Sequence, residues 1–156
     1  SAYLIDEMTV EIIADGVHLP PELLKLIYKI KGPSRTVLVT DSMRAAGMPD
    51  GESILGSLKD GQKVIVEDNV AKLLDRTAFA GSTATADRLI RNMIRLAGAT
   101  VTDAVRMMTS TPACILGIDN KKGSLIPGKD ADIIFFDENI NIKRTIVGGK
   151  TVFVKE

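Results

Sequence analysis

Asp15 and His18, in the segment Asp-Gly-Val-His, and Asp41, in Val-Thr-Asp, are the residues whose types and spacing suit acid–base chemistry. His18 is the only histidine of the 156-residue chain, so any imidazole chemistry rests on it. A carboxylate can take a proton from an attacking water and return it to a leaving group, and an imidazole can steady a polarised carbonyl. Asp15 and His18 lie in the turn after one short apolar run, and Asp41 closes the next. In parallel α/β architectures the strand ends and the loops that follow them form the functional face, which predicts all three on one rim. A structural account is also open: Asp15 shaping a turn, Asp41 capping a loop, His18 partly buried.

Other groups carry weaker signals. Ala80-Gly81-Ser82 reads as a turn ahead of a helix, whose backbone N–H groups suit an anion or a polar sugar group. Gly-Ser caps also precede many helices that bind nothing. Asp130 and Asp132 bracket Ala131 as either a carboxylate pair or a polar lead-in to a strand. Met43, Met48, Met107 and Met108 read as core or loop filler, and the lone Cys114 as a buried small hydrophobe.

The elements that must position these residues follow from periodicity. Residues 10–14 form an apolar, partly β-branched run that stops at Asp15-Gly16, and residues 36–40 form a second run ending at Asp41. Between them Pro20 and Pro21 open a helix with Leu23, Leu24, Ile27 and Ile30 on one face, and Gly32-Pro33 ends it. Neither run has a wet face, which favours parallel strands covered on both sides, a βαβ unit. Residues 42–51 read as a loop, and residues 63–67 and 70–74 as a hairpin around Asp68-Asn69. A helix follows from about Thr83 to Ala97, with Leu89, Ile90, Met93, Ile94 and Ala97 inward and Gly98 as its stop. A second helix starts at an N-cap, Thr102, and breaks at Thr111-Pro112. Residues 131–136, 140–147 and 151–154 read as an antiparallel β tail with Gly148-Gly149 as a two-residue turn.

Composition bounds the partners. The 20 Lys and Arg balance 20 Asp and Glu, and 45% of the residues are hydrophobic. That is the profile of one soluble globular domain, with no basic excess to draw nucleic acid or an anionic membrane. One thiol makes no internal disulfide, so a cytoplasmic setting is expected. Ser1 to Asp6 does not read as a signal peptide, and no apolar run nears the ~18 residues that span a bilayer.

Read in order, Ile13-Ala-Asp-Gly-Val-His18, Thr40-Asp-Ser-Met-Arg-Ala-Ala-Gly47, Ala80-Gly-Ser82, Ser110-Thr-Pro-Ala113 and Pro127-Gly-Lys-Asp-Ala-Asp132 resemble the C-terminal part of N-acetylglucosamine-6-phosphate deacetylases, of the amidohydrolase superfamily. The resemblance implies an α/β fold: the last two strands of a (β/α)8 barrel with their helices over residues 1–120, and β-sandwich strands over 121–156. It implies Asp41 as the catalytic acid–base, and Asp15, Gly16, Val17 and His18 as a substrate-binding turn. It also implies a substrate-contacting loop at Phe79, Ala80 and Gly81, where Arg76-Thr77-Ala78-Phe79 replaces the family's usual Gly-Thr-Leu.

The resemblance further implies a divalent metal, zinc or similar, which lowers the pKa of a bound water while Asp41 handles its proton. The glutamate and two histidines that hold it in the family lie before Ser1, so no metal ligand is expected in this chain. A barrel needs roughly 250 residues. The chain is therefore expected to be a C-terminal piece, inactive alone, of an enzyme that is homo-oligomeric and acts on an amino-sugar phosphate. Two alternatives stay open: an amidohydrolase acting on another N-acyl or cyclic amide, and a non-catalytic self-associating module.

Overall fold

The computed structural model describes residues 2–155. A short 3₁₀ turn at Ala2–Leu4 leads into β1 (Val10–Ile12), α1 (Pro21–Lys31) and β2 (Thr36–Leu38). The two strands are parallel, with Val10 opposite Thr36 and Ile12 opposite Leu38, as the apolar runs predict. Each is shorter than its run, because the chain beyond Ile12 and Leu38 turns out of the ladder into the site loops. Pro20 and Pro21 start α1 without a side-chain cap, and the Gly32 N–H closes it on the Tyr28 carbonyl. Leu24 and Ile27 are buried, whereas Ile30 is 46% exposed and not on the covered face.

Residues 42–82 depart from the expected loop and hairpin. They form a four-stranded antiparallel meander of β3 (Gly51–Leu55), β4 (Gln62–Glu67), β5 (Val70–Leu73) and β6 (Phe79–Ser82). The predicted hairpin is its centre, and Asp68 and Asn69 both take positive φ in the turn. Met43, Ala45, Val64, Val66, Ala71 and Ala80 pack as a separate small core. Ala80-Gly81-Ser82 is therefore strand and not a helix-leading turn. β3 and β6 escape a pattern reading because their small and polar residues have little strand preference, and the neighbouring strands supply the order.

Helix α2 (Ala86–Ala97) begins three residues after the expected start and ends at Gly98 in the left-handed conformation, as predicted. Helix α3 (Val101–Met108) is capped by Thr100, whose side chain accepts the Asp103 N–H, and not by Thr102. The break falls at Thr109, before α4 (Ser110–Ile115). Cys114 is exposed on α4, against the expected burial. Of the methionines, Met43 and Met107 are core, while Met48 is exposed. The main core joins Ile12, Leu24, Ile27, Leu38, Leu89, Met93 and Met107 from β1, β2 and the first three helices.

The tail is the antiparallel meander β7 (Ile133–Phe136), β8 (Ile142–Val147) and β9 (Lys150–Val154), with the Gly148-Gly149 turn where it was expected. Ile140 lies outside β8 and is buried with φ 60°, and its carbonyl accepts Arg91 of α2 at 2.9 Å. Asp130 and Asp132 both pair with Lys122, and Asp132 also accepts the Gly148 N–H, which makes them a tie between tail segments rather than a free carboxylate pair. Ile134, Phe135, Val152 and Phe153 remain exposed on this sheet. No helix among the described residues is long and apolar enough to cross a membrane.

Candidate active site

Asp15 and Asp41 each stand three residues beyond the last paired residue of β1 and β2, Ile12 and Leu38. Because the strands are parallel, both acids emerge at the same end of the pair. The rim predicted from sequence is present, but the two acids have different surroundings.

The Asp15 side chain is fully buried. Its Oδ1 accepts the backbone N–H groups of Val17 and His18, each at 2.9 Å, and its Oδ2 lies 2.8 Å from His18 Nδ1. Gly16, at φ 81°, makes the turn possible, and a β-carbon there would press to 3.3 Å on Leu96. Burial pushes the Asp15 carboxyl upward, but the N–H bonds of His18 and Val17 and the His18 ring outweigh it and hold it below the ordinary carboxylate range. An ionised carboxylate only accepts, so the His18 ring donates to it from Nδ1, and Nε2 has no hydrogen-bond partner among the described residues.

Asp41 is exposed, with φ 47°, a left-handed backbone that Asp and Asn tolerate better than most residues. Among the described residues its carboxylate has no hydrogen-bond partner. Its backbone is fixed instead: the Asp41 carbonyl accepts the Ser82 N–H at 2.9 Å, and the Ser82 carbonyl accepts the Met43 N–H at 2.9 Å. Ser42 Oγ also donates to the Ala84 carbonyl.

Strand β6 ties the two loops together. The Phe79 ring lies 4.8 Å from the His18 ring at 51°. Gly81, at φ 85°, backs onto Asp41, whose carbonyl would be 3.3 Å from any β-carbon. Ala80 points into the small core, so only its backbone is available to a ligand. A shallow cavity of about 330 Å³ beside Phe79 is lined by Lys72, Arg76, Thr77 and Ala78. Lys72 and Arg76 are engaged there with Glu67 and Asp68. The eight expected residues thus fall into two groups bridged by β6, one at His18 and Phe79, the other at Asp41 and Gly81.

Sequence reading missed Arg88 and Asn92, one helical turn apart on α2, which donate to the Asp15 and Ala14 carbonyls at 2.9 Å each. Only their i, i+4 spacing on a polar helix face could have flagged them. No three His, Cys, Asp or Glu side chains converge as metal ligands among the described residues. His18 Nε2 and the Asp41 carboxylate are available, while both Asp15 oxygens are engaged, so this donor set alone does not fit a three-ligand catalytic metal.

The parallel βαβ pair thus presents two strand-end acids and a turn built on the buried Asp15, and sequence comparison shows the class of protein to which such a chain belongs. The amidohydrolase family matches residues 2–152, and the chain belongs to it. Within that family the chain is similar to amino-sugar phosphate deacetylases. It is 37% identical over 147 residues to the N-acetylglucosamine-6-phosphate deacetylase of Lysinibacillus sphaericus, covering 94% of this chain and 36% of that protein. It is 37% identical over 140 residues to a putative N-acetylgalactosamine-6-phosphate deacetylase of Escherichia coli K12, covering 90% of this chain and 80% of that protein. The crystal structure of the Thermotoga maritima N-acetylglucosamine-6-phosphate deacetylase superposes with a TM-score of 0.88 at 37% identity, covering 99% of this chain and 41% of that one. The chain thus spans about two fifths of that structure.

Proposed function

We propose that this chain carries the acid–base and sugar-binding part of an N-acetylglucosamine-6-phosphate deacetylase. Residues 1–120 hold the last two strands of a (β/α)8 barrel with their helices, and residues 121–156 hold strands of a small β-sandwich. The observation that carries the reading is the shared rim, with an unpaired Asp41 carboxylate at one strand end and the Asp15–His18 turn at the next.

In this reading Asp41 takes a proton from the water that attacks the acetamide carbonyl. It returns that proton to the nitrogen as the carbon–nitrogen bond breaks, and the water's second proton passes from the new carboxyl to the amine, giving acetate and the ammonium form of the sugar. Asp15 fixes the tautomer of His18, which leaves Nε2 to accept a hydrogen bond from the sugar. Phe79 offers its ring as an apolar wall. The family resemblance supports a divalent metal whose ligands come from residues other than these. Homo-oligomeric assembly and a cytoplasmic setting complete the proposal, and light scattering on the purified protein reads the assembly.

The test is a chimera in which this chain replaces the matching part of the Lysinibacillus sphaericus enzyme. It is expected to release acetate from N-acetylglucosamine-6-phosphate, and Asp41→Asn is expected to abolish release. A chimera that keeps its rate with Asp41→Asn overturns the role of Asp41. The E. coli relative favours a second substrate, N-acetylgalactosamine-6-phosphate, and comparing kcat/KM for the two sugars decides between them.

A further inference from the structure

The β3–β6 sheet reaches the Asp15–His18 turn at two separate points. One is the Phe79 ring on the His18 ring. The other passes through Arg88, where one guanidinium nitrogen donates to the Asp15 carbonyl at 2.9 Å and another to the Asn69 carbonyl at 3.2 Å. Asn69 occupies the β4–β5 turn, and its carbonyl also accepts Thr83 Oγ1 at 2.8 Å. One side chain on α2 therefore spans the site turn and the tip of the neighbouring hairpin.

The two bonds do different things. The turn is already held without Arg88, since Asn92 binds the Ala14 carbonyl and the Asp15 carboxylate collects the Val17 and His18 N–H groups. What Arg88 adds is a fixed distance between the turn and the sheet, because its planar fork joins two carbonyls in one geometry. Phe79 needs that distance: it is 48% exposed, so surrounding side chains do not by themselves hold it on His18.

We propose that Arg88 is a positioning residue that sets the β3–β6 sheet against the Asp15–His18 turn and so keeps the Phe79 ring on His18. Its kinetic consequence rests on the proposed deacetylase reading, whereas its geometric consequence does not.

His18 is the only histidine, so its ring gives a single pair of carbon-bound proton signals in the NMR spectrum of the 156-residue chain. Phe79→Leu defines where those signals lie without the neighbouring ring. Arg88→Met is expected to move them most of the way to that position with the circular dichroism unchanged. Arg88→Lys, which reaches one carbonyl at a time, is expected to move them part of the way. Arg95→Met, on the exposed end of the same helix, is expected to leave them in place. Signals of Arg88→Met that superpose on wild type overturn the proposal, and if that variant does not fold, unshifted signals of Arg88→Lys do so. In the chimera Arg88→Met is expected to raise KM about tenfold with kcat within about twofold. A loss confined to kcat counts against positioning, while an inactive parent chimera counts against the deacetylase reading and leaves the His18 result standing.

Discussion

Asp15 and His18 close a three-residue ring of contacts in which one carboxylate oxygen faces Nδ1 at 2.8 Å while the other gathers two backbone N–H groups. Removing that carboxylate strands part-buried donors. Asp15→Ala is expected to lower the unfolding free energy by about 2–3 kcal/mol in urea titration. Asp15→Asn keeps the Oδ1 acceptor but turns an N–H toward Nδ1, so it should cost less stability and yet switch the His18 tautomer. Nitrogen-15 shifts of the ring read that switch.

The same carboxylate makes stability depend on pH with a defined sign. Burial raises its pKa, the bonds from His18 and Val17 lower it further than burial raises it, and the folded value ends below the unfolded one. The stabilisation is therefore complete above the unfolded value of about 3.9 and is lost as pH falls through the folded value. Asparagine does not titrate there. From about pH 5 downward, the stability gap between wild type and Asp15→Asn is expected to hold and then narrow below about pH 4. A gap that widens on acidification contradicts the assignment.

Asp41 offers a cleaner separation of activity from stability. Its side chain is exposed, and its left-handed φ of 47° suits asparagine as well as aspartate. Asp41→Asn is expected to cut kcat of the chimera by about 10²–10⁴-fold with the unfolding midpoint unchanged. Asp41→Ala adds backbone strain and should lose about 1 kcal/mol of stability as well.

Gly81 supports Asp41 from behind. Its φ of 85° and the 3.3 Å approach of the Asp41 carbonyl to any β-carbon both oppose a side chain. Gly81→Ala is expected to destabilise the chain by about 1–2 kcal/mol and to weaken Asp41-dependent turnover. Gly98→Ala, at φ 74° with nothing within 4 Å, is expected to lose stability without touching turnover.

The parallel unit was legible because both of its runs are mostly apolar and partly β-branched and its helix is bounded by Pro20, Pro21 and Gly32, although Glu11 gives β1 an exposed position where no wet face was expected. The rim followed from that topology: once two strands are parallel, Asp15 and Asp41 must share an end. The meander was legible only at Asp68-Asn69, whose residue types demand positive φ. Gly51–Leu55 and Phe79–Ser82 carry no alternation of their own, and their strand state comes from partners distant in sequence. That blind spot hid the most consequential contact, Phe79 on His18, which no local pattern encodes. Cys114 misled for a related reason: its helix is apolar on more than one side, and periodicity does not say which side the core takes.

Ser82 bridges Ser42 and exchanges backbone bonds with both Asp41 and Met43. The stretch from Met43 to Gly81 therefore leaves and rejoins the α/β framework at one point, with its own small core inside. Such a stretch behaves as an exchangeable cassette. Insertions, deletions or wholesale replacement within it cost little chain entropy, because the junction stays closed whatever the loop contains. In this chain that stretch is also tied to the framework through Phe79 against His18 and through the Asn69 carbonyl, which accepts from Arg88. The contents of that stretch can thus change while Asp41 stays where the end of β2 puts it.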